Sequence, residues 1–198
     1  MFEHGVVYRN KDSYCGPISM LVGLPNGEIL LIFREAKWRG RVTHSDPTTR
    51  MSLLRSRDGG QNWFSQVTVD PSGGNGCAIM RLCDGTLLAN AYHWEFAPLE
   101  EAERFADRAR VRRRDELSML CTGAGVFMTR SRTDGYTWEP ARHIPEPEGW
   151  PDVACHSQTL ELPGGDLLLP VTGRTGAEGQ AHGVVLRSSD GGRSWGEP

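Results

Sequence analysis

The stretch from Arg34 to Arg50 gathers the groups of this 198-residue chain best suited to handle a polar ligand. It reads Phe33-Arg34-Glu35-Ala36-Lys37-Trp38, then His44-Ser45-Asp46-Pro47, and closes at Arg50. A guanidinium presents a rigid fork of donors to carboxylate or hydroxyl oxygens. Arg34 and Arg50 are therefore candidate substrate contacts. The Asp46 carboxyl can protonate a leaving-group oxygen placed over it. His44, two residues earlier, carries an imidazole that can give or take a proton near neutrality. The two are rival candidates for a catalytic acid or base. Each also has a plain structural reading, since Asp-Pro is a common turn and a loop histidine needs no role.

Two further clusters offer similar chemistry. Tyr92-His93-Trp94-Glu95 ends an apolar run, and Tyr92 lies seven residues after Gly85, as Arg34 lies seven after Gly27. Tyr92 and His93 are candidate substrate contacts; strand-end aromatics also serve as packing. Later come Asp152, His156, Arg174 and His182, with Arg174 the candidate for an anionic group. No HxH or HExxH spacing occurs, so no metal or other cofactor is expected.

What must position these residues is a repeat. Three Asp-Gly turns recur: Ser56-Arg57-Asp58-Gly59-Gly60-Gln61-Asn62-Trp63, Ser131-Arg132-Thr133-Asp134-Gly135-Tyr136-Thr137-Trp138 and Ser189-Asp190-Gly191-Gly192-Arg193-Ser194-Trp195. Before each lies a hairpin: Leu24-Pro25-Asn26-Gly27, Leu82-Cys83-Asp84-Gly85 and Leu162-Pro163-Gly164-Gly165, each leading into an apolar strand. A third strand runs into each Asp-Gly turn and a fourth leaves the first two. Repeated four-stranded antiparallel units predict the blades of a β-propeller. The expected fold is all-β, a single partial propeller domain over 1–198, with blades at about 12–70, 73–145 and 153–198. Segment 99–117, rich in Glu, Arg and Ala without Gly or Pro, reads as a helical insertion with a solvated charged face.

In a four-stranded meander the first and third turns share one end of the blade. The hairpins and the Asp-Gly turns therefore occupy one face of the propeller, and the long connections, Arg34–Arg50 among them, the other. Loops on a rigid scaffold carry binding chemistry, so the site is expected on that second face. Asp58, Asp134 and Asp190 are expected to be structural, accepting backbone N–H bonds within their turns.

These turns and hairpins resemble the Asp-boxes of the sialidase superfamily, and the resemblance spans nearly the whole chain. It implies a six-bladed propeller with glycoside hydrolase activity on a terminal, acidic sugar, with Arg34 at a sugar-contacting position and Asp46 at that of the acid/base. Related folds without turnover, or with a catalytic histidine acting on uronate-linked sugars, are the alternatives, and His44 suits the last. The family's Arg-Ile-Pro motif is matched by Tyr14-Cys15-Gly16-Pro17, with Cys15 in place of the arginine. Fewer than three blades are accounted for, so the chain is expected to be the N-terminal part of a longer protein or to self-associate through open sheet edges.

The totals agree with this picture. Twenty-four glycines and 12 prolines suit short strands and tight turns, and a net charge of -3 gives no nucleic-acid footprint. No apolar run approaches the roughly 20 residues needed to span a bilayer. The start Met1-Phe2-Glu3-His4 does not read as a signal peptide. Five cysteines without CxxC spacing suggest reduced thiols and a cytoplasmic setting, unless a leader is missing. A carbohydrate is the expected partner.

Overall fold

The computed structural model describes residues 5–72, 74–108, 110–150, 152–175 and 179–196. Strand β2 (Ile29–Lys37) shows why the chain folds as stacked sheets. Leu30 and Ile32 on one side and Phe33 on the other are all buried. A strand covered on both faces needs a continuous apolar run, not simple alternation.

β1 (Ser13–Gly23), β2, β3 (Arg50–Ser56) and β4 (Phe64–Asp70) form the first sheet in that order, antiparallel throughout. The second sheet holds β5 (Asn75–Arg81), β6 (Leu87–Pro98), β7 (Arg112–Arg114), β8 (Met119–Ser131) and β9 (Arg142–Ile144). Its order is β5-β6-β8, with β7 and β9 on different stretches of β8. In the third, β10 (Asp152–Ala154) and β11 (Leu160–Glu161) pair with one edge of β12 (Leu167–Arg174), and β13 (Ala181–Ser188) with the other. Beyond β13, among the described residues, only an isolated bridge joins Arg187 to Gly196. The molecule is thus all-β, a partial propeller of three antiparallel blades.

Two apolar cores hold the blades together. Leu30, Ile32, Met51 and Leu53 of the first sheet meet Ile79, Leu87 and Ala89 of the second. Leu88, Val126 and Met128 of the second meet Val153, Leu167, Leu169 and Leu186 of the third. Burial of such side chains contributes about 1.5–3 kcal/mol each.

The insertion at 99–117 is helical only at its ends. A 3-10 helix covers Leu99–Phe105 and a 3-10 turn Asp115–Leu117, and β7 lies between them. The arginines of β7 pair with β8, where extended backbone lets every second side chain face the same way.

The three Asp-Gly turns share one hydrogen-bond scheme. Ser56, Ser131 and Ser188 Oγ each accept from a glycine N–H four residues on, at 2.9, 2.9 and 2.8 Å. Asp58 Oδ1 accepts from Asn62 N (2.8 Å), and Asp190 Oδ1 from Ser194 N (2.9 Å). The second turn departs from the expectation for Asp134. There Thr133 Oγ1 accepts, from Thr137 N at 2.9 Å. Asp134 instead sits at φ 51°, where its counterparts Gly59 and Gly191 have φ 70° and 71°. Aspartate is among the few non-glycine residues that tolerate this conformation.

Arginines tie each blade to the next turn. Arg55 donates to the Asp134 carbonyl and pairs with Glu28. Arg130 donates to the Gly191 carbonyl at 2.6 Å. These contacts fix the face that carries the Asp-Gly turns, and leave the opposite face to the long loops.

Candidate functional site

The loop face holds a cleft of about 180 Å³ between the second and third sheets. His44 reaches it from the β2–β3 loop, Tyr92 and Trp94 from β6, and Thr172 and Arg174 from β12. Asp152 and His156 line it from the third sheet's inner edge. Of the residues singled out in the sequence it therefore unites His44, Tyr92, Asp152, His156 and Arg174.

Arg34 is buried at 2% exposure; it does not itself line the cleft, but it is close enough to lower the pKa of His44, which does. Its Nη2 donates to Tyr14 Oη (3.0 Å), Thr43 O (2.9 Å) and Thr49 Oγ1 (3.2 Å). Its Nε and Nη1 are buried with no acceptor among the described residues. No carboxylate pairs with it among those residues. Gly16 makes this placement possible, because a Cβ there would stand 3.0 Å from Arg34 Cδ. Asn75 Nδ2 and Trp94 Nε1 are also buried with no acceptor among the described residues. Buried donors are normally satisfied, so this part of the molecule is short of acceptors and suited to an acceptor-rich ligand.

His44 is exposed, and its imidazole pKa is lowered, first by desolvation and then by the cations Arg34, Arg112 and Arg114. It is thus neutral near pH 7 and able to accept a proton. Tyr92 is buried, and desolvation followed by Asp152 holds its phenol well above the usual range. It stays protonated, a donor and a wall. The absence of a side chain at Gly123 makes room for its hydroxyl, with which a Cβ at that position would overlap. Asp152 Oδ2 stands 3.3 Å from Arg110 Nη1 and 3.8 Å from Arg174 Nε, so one carboxylate orients two guanidiniums.

Asp46 is placed differently from His44. It is 1% exposed and fully engaged: Arg39 Nε donates to Oδ2 at 2.6 Å, and Thr48 N and Oγ1 donate to Oδ1 at 2.9 and 2.6 Å. Burial would raise its pKa, but these donors outweigh burial and lower it. The carboxylate holds the loop that presents His44, and it lines a separate hollow with Trp94 and Phe96.

Strand alternation separates two other candidates from the cleft. Arg50 is paired across the ladder with Glu35, not Arg34, and its Nε and Nη2 bind Glu35 Oε2 at 3.1 and 2.9 Å. His93 follows Tyr92 and points to the opposite side, where Nε2 meets Asp70 Oδ2 at 2.6 Å and the ring stacks on Phe127 at 3.9 Å. The sequence offers both as substrate contacts; the structure engages both in polar networks away from the cleft.

Sequence reasoning passed over three cleft groups. Thr172 lies seven residues after Gly165, the same offset that gives Arg34 and Tyr92, and that offset identifies it. Arg110 and Arg112 stand in a run of alternating arginines, and their period of two was the signal. The described residues hold no group of three His, Cys, Asp or Glu arranged for a metal. No helix among them is long and apolar enough to cross a membrane.

No family model and no curated protein matches the chain. Solved structures do. A Dyadobacter fermentans protein of unknown function superposes with a TM-score of 0.82 at 23% identity, over 97% of this chain and 56% of that one. Hadza microbial sialidase Hz136 gives 0.66 at 16%, over 90% and 36%. The α-L-arabinofuranosidase Arb93A of Fusarium graminearum gives 0.58 at 15%, over 96% and 48%. The fold is shared with sialidases. The chain spans about a third to just over half of these structures' lengths, and at such identities the likeness concerns the fold alone.

Proposed function

We propose that this chain forms part of a sialidase-like glycoside hydrolase that binds a terminal, acidic sugar in the cleft beside Arg34. The observation that carries the reading is the Arg34 guanidinium: buried, and among the described residues without a carboxylate partner and with two nitrogens free of acceptors. A buried cation costs several kcal/mol unless it is paired. A sugar carboxylate would supply the missing charge and fill the forked donor set. Arg174 and Thr172 bind further oxygens, and Tyr92 walls the cleft. Sialidases and an arabinofuranosidase share this fold, so the fold leaves the sugar open. Cys15 in place of the superfamily arginine counts against sialic acid itself.

His44 is our choice for the proton-transfer group. It is neutral near pH 7 and faces the cleft, whereas Asp46 is held as a carboxylate by four hydrogen bonds. That binding of Asp46 also favours a second reading, a carbohydrate-binding propeller without turnover.

The test uses aryl glycosides of glucuronate, of sialic acid and of glucose with the protein and its His44→Ala and Asp46→Asn variants. Release from an acidic glycoside, lost in His44→Ala and largely kept in Asp46→Asn, supports the His44 assignment. The opposite pattern returns the role to Asp46. Calorimetric binding of free uronate without release from any glycoside supports the binding propeller. Equal affinity for glucose and glucuronate would overturn the acidic-sugar reading.

A further inference from the structure

The insertion between β6 and β8 carries Arg108-Ala109-Arg110-Val111-Arg112-Arg113-Arg114. Its even-numbered arginines all reach protein groups around the cleft. Arg108 Nη2 binds Glu95 Oε2 at 3.1 Å, and Arg110 reaches Asp152 at 3.3 Å. The Arg112 guanidinium stands 5.1 Å from the centre of the Trp94 ring, and Arg114 Nε donates to Ser45 Oγ at 2.9 Å, beside His44. Val111 is 40% exposed, and the Arg113 side chain 65% exposed, paired with its neighbour Asp115. Arg108, Arg110 and Arg112 stay solvent-exposed but line the hollows, whereas Val111 and Arg113 line neither.

These three arginines extend the cleft. A smaller hollow lined by Arg108, Arg110, Arg112 and Thr122 shares Tyr92, Trp94 and Asp152 with the main one. Across both, four arginines (108, 110, 112 and 174) face one aspartate. Arg112 has no carboxylate partner among the described residues, and its guanidinium lies over an indole, where a bound sugar or carboxylate can share the surface. Arg112 and Arg34 lie on different elements, so the two guanidiniums can answer two separate anionic groups.

Resting on the acidic-sugar reading, we propose that the Arg108–Arg114 row binds a second anionic unit, so that the preferred ligand is an oligosaccharide carrying acidic groups on adjacent sugars. Arg112 is the specificity residue of this second subsite. Arg110 is a positioning residue, since Asp152 ties it to Arg174.

The test compares glucuronate with a disaccharide of two linked glucuronates, and with the same disaccharide whose second carboxylate is converted to its methyl ester. Binding is read by calorimetry at low and high salt. One well-placed charge contact changes affinity by about tenfold. The diacid should bind about tenfold more tightly than its monoester at low salt, with the ratio shrinking as salt rises. Arg112→Gln should bring that ratio close to one. An unchanged ratio in Arg112→Gln, or equal binding of diacid and monoester by the unaltered protein, overturns the second subsite while leaving the first. Failure of all three ligands to bind overturns the acidic-sugar reading, and this inference with it.

Discussion

Replacing Arg34 by methionine separates a ligand-binding arginine from a structural one. In the unliganded protein the substitution removes three hydrogen bonds, all from Nη2. At about 1 kcal/mol each the loss is about 3 kcal/mol. The Thr43 carbonyl keeps the Tyr14 hydroxyl as a donor, which softens it. Against the loss stands relief from burying an uncompensated cation, worth several kcal/mol, and methionine fills similar volume. The two effects nearly cancel, so denaturant unfolding should show a change of no more than about 1.5 kcal/mol. Ligand binding has no such compensation. Removing one partner of a buried charge pair costs about 2–4 kcal/mol, roughly thirty- to several-hundred-fold in Kd. Calorimetry with glucuronate and with glucose reads this directly, and only the acid should lose affinity. A stability loss beyond about 3 kcal/mol, or equal weakening of both sugars, would refute the reasoning and make Arg34 a packing element.

Asp134→Gly should stabilise the protein by about 0.5–1 kcal/mol, because it relieves a side chain held at positive φ. Thr133→Val should destabilise it by about 1 kcal/mol by leaving Thr137 N without its acceptor. The reverse order in thermal melts would restore Asp134 as the accepting residue. Glu35 gives an acid limb to the stability curve. Burial alone would push its carboxyl up, but donation from Ser13, Tyr8 and Arg50 brings it from 4.5 down to about 2. A depressed folded-state pKa contributes stability above the unfolded value and loses it as pH falls through the folded one. About 3 kcal/mol at most should therefore disappear between pH about 5 and about 2. Glu35→Gln should flatten that limb; an unchanged pH profile would count against the network. Asp46→Asn should lower the melting temperature, since the amide oxygen can keep the Thr48 contacts but the charge that holds Arg39 is lost. An unshifted melt would show that the Arg39 pair does not hold the loop.

Much of this architecture was legible in the chain because it repeats. Turns and hairpins recur with apolar strands between them, and each strand is read by its own period. What stayed hidden was the side of the strand on which a residue falls. Arg34 and Arg50 looked like one cluster in sequence, yet the β2–β3 register sets Arg50 opposite Glu35. Tyr92 and His93 are neighbours in sequence and face opposite sides of their sheet. The arginines of the insertion were hidden for a different reason. Composition pointed to a helix, but packing along β8 draws residues 112–114 into a strand. Tertiary pairing overrode local preference there, and Arg110 and Arg112 of this still-exposed run line the cleft.

The repeat also explains why the site lies where it does. Each hairpin glycine fixes the register of the strand that follows, so the seventh residue after Gly27, Gly85 and Gly165 occupies the same place in each blade. Those residues are Arg34, Tyr92 and Thr172, paired across the ladders with Met51, Val126 and Gly183. The scaffold delivers three side chains to one end of the molecule, and the sequence makes them a cation, a phenol and a hydroxyl. At the other end the same logic gives near-identical residues: serines that accept from glycine N–H groups, and the tryptophans Trp63 and Trp138 that donate back to glycine carbonyls. Near-identical turn chemistry, with the serine–glycine bond common to all three blades, suits a structural task that every blade shares. A ligand bound across several blades has different atoms at each, so its contacts must differ from blade to blade. The positions where register agrees and chemistry does not are therefore the ones to mutate for specificity, and Thr172, which no motif marks, belongs among them on that argument alone.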